Sequence, residues 1–315
     1  MPRKITIIGV GNVGATIAYT LSLGDLASQL VLIDINKEKV LGEVMDIAQG
    51  ASFRDPISII AGDYADAKDS DIVIITSGVG RRPGQSRIEL AQTNVNILKS
   101  ITPRIVAAAP RALYLIVSNP VDIMTYVFTK ISGLPENQVI GSGTILDTSR
   151  LRYTLANHFH IAQKNINAYV FGEHGDTSFV PWSCTDISGC SLHDYENMVL
   201  QRGLIASRME PDTALEYVRR AGGEIISRKG ATFYAVSVSV KMLCSAVSAA
   251  YDSILTVSSM MHGEYGIDDV CLSTLNLVGP HGIQGKVPLT LTPEEIGKLR
   301  SSADALRAVI RGLEL

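Results

Sequence analysis

Short apolar runs alternate with helix-like segments through the first half of this chain. The runs are rich in β-branched residues and have no polar face, which is typical of strands covered by helices on both sides. They lie at residues 5–8, 30–33, 72–75, 114–117 and 138–140. Apolar residues at helical spacing occupy the segments between them, at residues 13–23, 37–49 and 90–109. This alternation predicts an α/β fold, with a Rossmann-type doubly wound parallel sheet.

The pattern changes after Gly143. Mostly helical sequence then extends from residue 194 to residue 257. Strand-like runs in this half lie at residues 167–171, 183–186 and 271–278. We therefore predict two domains, a Rossmann domain over residues 1–143 and an α+β catalytic domain over residues 144–315.

Composition limits the class of function. The 28 Lys and Arg residues against 31 Asp and Glu residues give no basic excess for nucleic acid or an anionic membrane. We expect no leader and no spanning segment, because the apolar runs are far shorter than ~20 residues. The four cysteines have no CxxC spacing, so we expect reduced thiols and a cytoplasmic protein. The His, Cys and carboxylate residues show no spacing typical of metal ligands, so we expect no metal site.

A glycine-rich turn follows the first strand and opens the first helix. In its sequence GVGNVG, Gly9 permits a tight turn, Gly11 lets the backbone approach a pyrophosphate, and Gly14 allows close packing of helix on strand. The helix N-terminus that contains Asn12 and Val13 then offers free N–H groups to the phosphates. This turn predicts a dinucleotide site.

An acidic residue, Asp34, ends the second strand. Its carboxylate can accept hydrogen bonds from a ribose diol and would repel a 2′-phosphate, which favours NAD over NADP. An unrelated surface aspartate is the alternative. However, strand, turn, helix, strand and acid follow one another in the order that an NAD site requires.

A histidine between glycines, His174 in the sequence GEHGD, follows an apolar strand-like run. Histidine is the side chain best able to exchange a proton near neutral pH. A packed loop histidine is the usual alternative, but Asp147 and Arg150 favour chemistry. They are three residues apart on a predicted helix and so share a face. Asp147 could fix the tautomer of an imidazole, and Arg150 could bind a substrate carboxylate. By themselves, the two are more often an ordinary intrahelical ion pair.

Two loops follow predicted strands at the edge where α/β proteins bind ligands. The first contains Arg81, Arg82 and Arg87 among glycines that permit hinge motion, and it suits closure over an anion. A solvated basic loop without function is the alternative. The second, SNP, places Asn119 where it could bridge cofactor and substrate, although Asn before Pro is common in ordinary turns.

Taken together, these motifs resemble the lactate/malate dehydrogenase family. The similarity covers nearly the whole chain and rests on GVGNVG, VLIDIN, SNPVDIMT, GSGTILDTSRLR and GEHGD in this order. It implies that His174 donates a proton to a 2-keto acid with Asp147 as its partner. It also implies that Arg150 binds the substrate carboxylate, that Arg87 polarises the ketone, and that Asn119 touches the substrate region.

The resemblance further implies that the glycine-rich turn and Asp34 hold NAD. It implies a dimer or tetramer, and we expect a homotetramer. A non-catalytic NAD-binding sensor is a remote alternative, and a scaffolding protein is another. The joint presence of Arg87, Asp147, Arg150 and His174 argues against the sensor.

Within the family, the motifs disagree about the substrate. Glu173, the pair Pro181-Trp182 and Thr232 match lactate-type members, with Thr232 as a wall of the substrate pocket. Arg81 instead matches malate-type members at the lid position that discriminates substrates. An arginine can pair with the second carboxylate of oxaloacetate, whereas pyruvate has only a methyl group there. We favour interconversion of pyruvate and (S)-lactate and keep oxaloacetate and malate as the alternative.

Overall fold

The structure is a computed structural model that describes residues 3–53, 55–80, 84 and 86–315. The predicted site residue Arg81 and its neighbour Arg82 lie outside the described residues. Within them, no helix has the length and apolar character needed to cross a membrane.

Twelve strands and nine α-helices make up the regular structure of the described residues. The strands are β1 Lys4–Ile8, β2 Gln29–Ile33, β3 Ser58–Ala61, β4 Ile72–Ile75, β5 Leu113–Ile116, β6 Val139–Gly141, β7 Ile166–Asn167, β8 Asp186–Ile187, β9 Cys190–Ser191, β10 Ser253–His262, β11 Asp268–Gly279 and β12 Gly282–Lys286. The helices are α1 Asn12–Ser22, α2 Lys37–Gln49, α3 Arg87–Ala108, α4 Val121–Ser132, α5 Ile145–Phe159, α6 Leu192–Gln201, α7 Pro211–Lys229, α8 Tyr234–Ala246 and α9 Pro293–Ile310.

Nine strands form one sheet, in the order β12-β11-β10-β6-β5-β4-β1-β2-β3. The six strands from β6 to β3 are parallel, in the order of a doubly wound dinucleotide-binding fold. The antiparallel strands β10 to β12 extend the sheet beyond β6, where Ser258 pairs with Gly141. Strands from both predicted domains thus share one sheet. A small antiparallel sheet, β7-β8-β9, lies in the second half of the chain.

Both faces of the parallel sheet are buried. On β4, Val73 and Ile75 belong to one apolar cluster and Ile72 and Ile74 belong to another. The first cluster also contains residues of α3, α4 and α9, and the second contains residues of α1, α2 and α8. Each buried aliphatic side chain contributes roughly 1.5–3 kcal/mol relative to exposure. Burial on two faces explains the continuous apolar runs, and the predicted doubly wound α/β fold is confirmed.

Two elements of the first half were not predicted. Helix α4 is buried nearly all round from Val121 to Thr129, so its sequence has no polar face to mark a helical stripe. Strand β3 is a four-residue edge strand with only partial burial, and its apolar run is too short to stand out.

The strand expected at residues 183–186 is wrong. Trp182–Cys184 forms a 3₁₀ turn, and only Asp186 and Ile187 pair as β8. The Ser183 N–H donates to the Glu295 carboxylate at 3.1 Å, and the Ser183 hydroxyl donates to it at 2.5 Å. A side chain from α9 therefore accepts the Ser183 backbone N–H that strand pairing would use.

Three other boundaries in the second half differ from expectation. The run at residues 167–171 forms a strand only at Ile166–Asn167, because the Thr144 and Thr148 hydroxyls bond the Val170 backbone and Phe171 makes only an isolated bridge. The helical region ends at Ala246 rather than Val257, since the residues from Ser253 pair along β11. The short strand region near residue 271 is the twelve-residue strand β11.

Candidate active site

The glycine-rich turn has a backbone that only glycine allows at two positions. Gly9 has φ +95°, and a Cβ built there would lie 2.5 Å from the Ser77 amide nitrogen. A Cβ on Gly14 would lie 1.9 Å from the Gly9 carbonyl oxygen. At Gly11, by contrast, a Cβ would meet no described atom within 4 Å. The turn is closely packed at Gly9 and Gly14 and open at Gly11, and this opening lets a phosphate approach the backbone.

The start of α1 is free for an anion. Asn12 is the first helical residue, followed by Val13, and within the described chain no side chain caps this end. The first turn also has no acidic residue. Unpaired N–H groups and the helix dipole make such an end favourable for a phosphate.

Asp34 is held beside the same turn. Its Oδ2 accepts the Val10 N–H at 2.7 Å, and its Oδ1 accepts the Asn36 N–H at 3.0 Å. The carboxylate is half-buried and therefore keeps a face on which a ribose diol could bond. An open glycine, an uncapped helix start and a fixed carboxylate together fit a dinucleotide.

Residues after β4 and β5 connect the glycine-rich turn to the loop that carries His174. The Ser118 hydroxyl donates to the Ser77 carbonyl at 2.6 Å. The Asn94 amide donates to the Asn119 carbonyl at 2.7 Å, and Asn119 is exposed, so its side chain is accessible to a ligand. The next residues lead into α4, whose Asp122 reaches the loop that carries His174. The nucleotide turn and His174 thus lie at the same, carboxyl-terminal edge of the sheet.

A buried carboxylate joins a histidine and an arginine. Asp147, on α5, lies with its Oδ2 2.5 Å from the His174 Nδ1 and its Oδ1 2.9 Å from the Arg150 Nη1. The aspartate is 5% exposed. The ordinary intrahelical ion pair therefore does form, and the same carboxylate also binds the imidazole. The structure brings together three predicted residues from two separate segments of the chain.

Electrostatics at this cluster favour a charged imidazole. The attraction of Asp147, opposed by burial and by Arg150, raises the pKa of His174 to about 9. Burial alone would raise the pKa of Asp147, but the combined attraction of His174 and Arg150 outweighs it and leaves that pKa below its usual value. The site can therefore hold a proton on the ring at neutral pH and release it to a substrate.

Arg87 begins α3 and faces the loop that carries His174. Its Nη2 lies 3.1 Å from the Asp176 carboxylate and 3.9 Å from the Glu173 Oε1. A Cβ on Gly175 would lie 2.7 Å from that Glu173 oxygen and 3.4 Å from the Arg87 Nη2, so the glycine permits the approach. Over half of the Arg87 side chain is exposed, and it can therefore exchange these partners for a ligand.

Thr232 lies between α7 and α8. It lines a cavity of about 360 Å³ together with Arg150, Ala221 and Ile225. His174 and Asn119 do not line this cavity. The structure therefore places Thr232 and Arg150 on the wall of one cavity.

Sequence reasoning missed a second carboxylate at His174. Asp122 is 3% exposed and accepts the His174 main-chain N–H at 2.7 Å and the Ser258 hydroxyl at 2.5 Å. The motif SNPVDIMT contains Asp122, but no local pattern indicates a contact with residues 52 and 136 positions away.

Across the described residues, no cluster of three or more His, Cys, Asp or Glu side chains could hold a metal ion.

The chain matches two family models that together cover nearly all of it. Residues 3–141 match "lactate/malate dehydrogenase, NAD binding domain" and residues 144–314 match "lactate/malate dehydrogenase, alpha/beta C-terminal domain". The chain therefore belongs to the lactate/malate dehydrogenase family, and the predicted cofactor NAD is confirmed.

Relatives and solved structures agree with this assignment. An L-lactate dehydrogenase of Thermoanaerobacter pseudethanolicus is 45% identical over 99% of this chain and 100% of that protein. L-lactate dehydrogenase 1 of Clostridium acetobutylicum is 45% identical over 96% of each chain. The crystal structure of MGS-M5, a lactate dehydrogenase from a deep-sea metagenome library, has a TM-score of 0.94 at 36% identity and covers 99% of this chain and 98% of that one. A minor L-lactate dehydrogenase from Enterococcus mundtii has a TM-score of 0.93 at 34% identity and covers 100% and 99%.

Two glycine-to-alanine variants separate folding from nucleotide binding. Gly14→Ala forces a methyl group against the Gly9 carbonyl, and we expect it to lower the free energy of unfolding by about 1–3 kcal/mol. Gly11→Ala has space for its methyl group, so we expect a loss of at most about 1 kcal/mol but weaker NADH binding. Thermal unfolding and a fluorescence titration with NADH measure the two effects. Unchanged NADH affinity in Gly11→Ala would contradict a phosphate position at this turn.

Proposed function

We propose that this protein is an NAD-dependent L-lactate dehydrogenase that interconverts pyruvate and (S)-lactate. The observation that carries the proposal is the Asp147 carboxylate shared by His174 and Arg150, at the sheet edge that also holds the glycine-rich turn. The L-lactate dehydrogenases among its relatives support the choice of reaction. When bound, NADH supplies the hydride that the carbonyl carbon of the keto acid receives.

Arg150 binds the substrate carboxylate in this proposal. Asp147 occupies its Nη1 and fixes the guanidinium, whose side chain is 14% exposed. The remaining N–H donors can make two parallel hydrogen bonds to a carboxylate, a geometry that an arginine provides and a lysine does not. The carboxylate of pyruvate is thereby held next to the imidazole.

His174 and Arg87 act on the ketone. The ring of His174, held by Asp147 through Nδ1, presents its other nitrogen and gives its proton to the ketone oxygen as that oxygen gains charge. Arg87 leaves Asp176 and turns to the same oxygen when the loop that precedes α3 closes. Closure excludes water, which strengthens each of these charge interactions.

Lactate is favoured over malate by the charge around Arg87. The buried Glu173 and the exposed Asp176 lie on this side of the site, and a second substrate carboxylate would be repelled by both. Arg81 supports the malate alternative, because its cation could pair with that carboxylate. Glu173, Trp182 and Thr232 match lactate-type members, so pyruvate remains the proposed substrate.

We also propose that the enzyme works as a homotetramer in the cytoplasm. Large apolar side chains are exposed on α1, α2 and α8, among them Tyr19, Met45 and Val238. Exposed apolar surface of this kind favours association. All four cysteines are free thiols, which suits a reducing compartment.

The first test is NADH oxidation with pyruvate by the unaltered protein and by His174→Ala. We expect pyruvate-dependent oxidation, and a fall in kcat of about 10²–10⁴-fold in the variant, because general acid catalysis is lost. NADH binding should be nearly unchanged. His193→Ala, at an exposed histidine of α6, serves as the control. Absence of oxidation with any 2-keto acid in the unaltered protein would refute the proposed function.

The second test concerns Arg81. Closing the loop over pyruvate would leave the Arg81 guanidinium desolvated without a partner, at a cost of about 2–5 kcal/mol. Arg81→Gln should therefore raise the ratio of kcat/KM for pyruvate to kcat/KM for oxaloacetate. Arg82→Gln, the neighbouring charge, is the matched control. An unchanged ratio in Arg81→Gln would mean that Arg81 does not contact the substrate.

A pH profile tests the Asp147–His174 pair. Because the pKa of His174 is raised to about 9, the imidazolium persists at neutral pH, and pyruvate reduction should decline only as the pH rises through about 9. Asp147→Asn removes the largest cause of that shift, so the decline should begin at lower pH. Asp304→Asn, at an exposed aspartate paired with Arg307, is the control. A profile in Asp147→Asn that matches the unaltered protein would exclude His174 as the titrating acid.

A further inference from the structure

A second carboxylate, that of Asp122, binds the main-chain N–H of His174. Asp122, in the first turn of α4, accepts the His174 N–H through Oδ2 at 2.7 Å and the Ser258 hydroxyl through Oδ1 at 2.5 Å. The carboxylate is almost fully buried, and no described Lys or Arg forms an ion pair with it. Helix α4, strand β10 and the loop that carries His174 therefore meet at one side chain.

Hydrogen bonding alone does not require a charge at this position. An asparagine could accept the His174 N–H through its oxygen and donate its amide hydrogen to the Ser258 oxygen. A buried carboxylate costs stability unless it is compensated, so the charge at Asp122 calls for a reason beyond hydrogen bonding. The ionisable groups that interact with it are His174 and Glu173, in the loop, and the buried Cys271 of β11.

We propose that Asp122 is a positioning residue for His174, which fixes the loop backbone through a hydrogen bond and helps to keep the imidazole protonated through its negative charge. The inference rests on the proposed function and deepens it. Asp147 orients the ring through Nδ1, whereas Asp122 fixes the backbone from which the ring extends. Together the two carboxylates leave the ring little freedom to move away from the substrate.

The charges around His174 support the electrostatic part. On α5, Asp147 raises the pKa of the ring and Arg150 lowers it, while Asp122 on α4 also raises it. Burial, assisted by the neighbouring Glu173 and opposed by the bonds from Ser258 and His174, raises the pKa of Asp122 to about 6. Asp122 is therefore ionised over the pH range in which His174 loses its proton.

Three variants separate the hydrogen bond from the charge. Asp122→Asn keeps both hydrogen bonds and loses the charge, so kcat at the optimal pH should stay within about 3-fold, since the geometry is kept. Asp122→Ala loses the acceptor as well, and kcat should fall by about 10²-fold through misplacement of the ring. Ser258→Ala keeps the charge and the bond to His174 and is the matched control. NADH affinity should be unchanged in all three.

The second readout is an NMR titration, which does not depend on turnover. The ring of His174 is titrated by NMR in protein labelled with ¹⁵N-histidine, and its resonance is assigned by its loss in His174→Ala. In Asp122→Asn the titration, and with it the alkaline decline of kcat/KM for pyruvate, should move to lower pH than in Ser258→Ala. An unmoved titration in Asp122→Asn would overturn the electrostatic part, and near-normal kcat in Asp122→Ala would overturn the positioning part.

The outcomes also separate this inference from the proposed function. If Asp122→Ala fails to fold, Asp122→Asn and Ser258→Ala still decide the electrostatic part. If the unaltered protein reduces no 2-keto acid, the proposed function fails, and the NMR titration alone then decides whether Asp122 sets the charge of His174.

Discussion

The contact between the Asp147 carboxylate and the His174 ring is the interaction on which the site depends. A buried carboxylate is tolerated because two cations surround it, the imidazolium at 2.5 Å and the Arg150 guanidinium at 2.9 Å. Removing one partner of such a group typically costs about 3–5 kcal/mol, because the other charge is left buried and uncompensated. The raised pKa of His174 also links this contact to stability. The stabilisation is complete below the unfolded pKa of the histidine and is lost as the pH rises through about 9.

The parallel sheet explains why residues far apart in the chain meet. Strands β1, β4 and β5 all end at the same edge, and Gly9, Ser77 and Ser118 lie within two residues of those ends. Hydrogen bonds connect these loops, as in the bond from the Ser118 hydroxyl to the Ser77 carbonyl. The second half of the chain joins this edge when β10 pairs with β6, and that pairing brings Ser258 to Asp122. One sheet therefore connects the glycine-rich turn with the elements that contact the loop carrying His174.

Features that depend on residues close together in the sequence could be predicted, whereas contacts between residues far apart in the chain could not. The glycine-rich turn and Asp34 are parts of one β-α-β unit, so local spacing was sufficient. Helix α4 escaped prediction because it is buried on all sides and has no polar stripe. The contact between Asp122 and His174 joins residues 52 positions apart, and it depends on the complete fold rather than on any local pattern.

The acidic surroundings of Arg87 link the fold to substrate choice. Helix α3 begins at Arg87 and places its guanidinium against Glu173 and Asp176, on either side of His174 in the chain. Under the proposed function, pyruvate would bring one negative charge, which Arg150 would neutralise, and the pairs of Arg87 with Glu173 and Asp176 could reform after each turnover. A dicarboxylate would bring a second charge toward Glu173, whose burial prevents water from screening the repulsion. Under the proposed function, the Arg81 cation would favour a dicarboxylate and the Glu173 carboxylate would oppose it, so the two residues would have opposite effects on the choice of substrate.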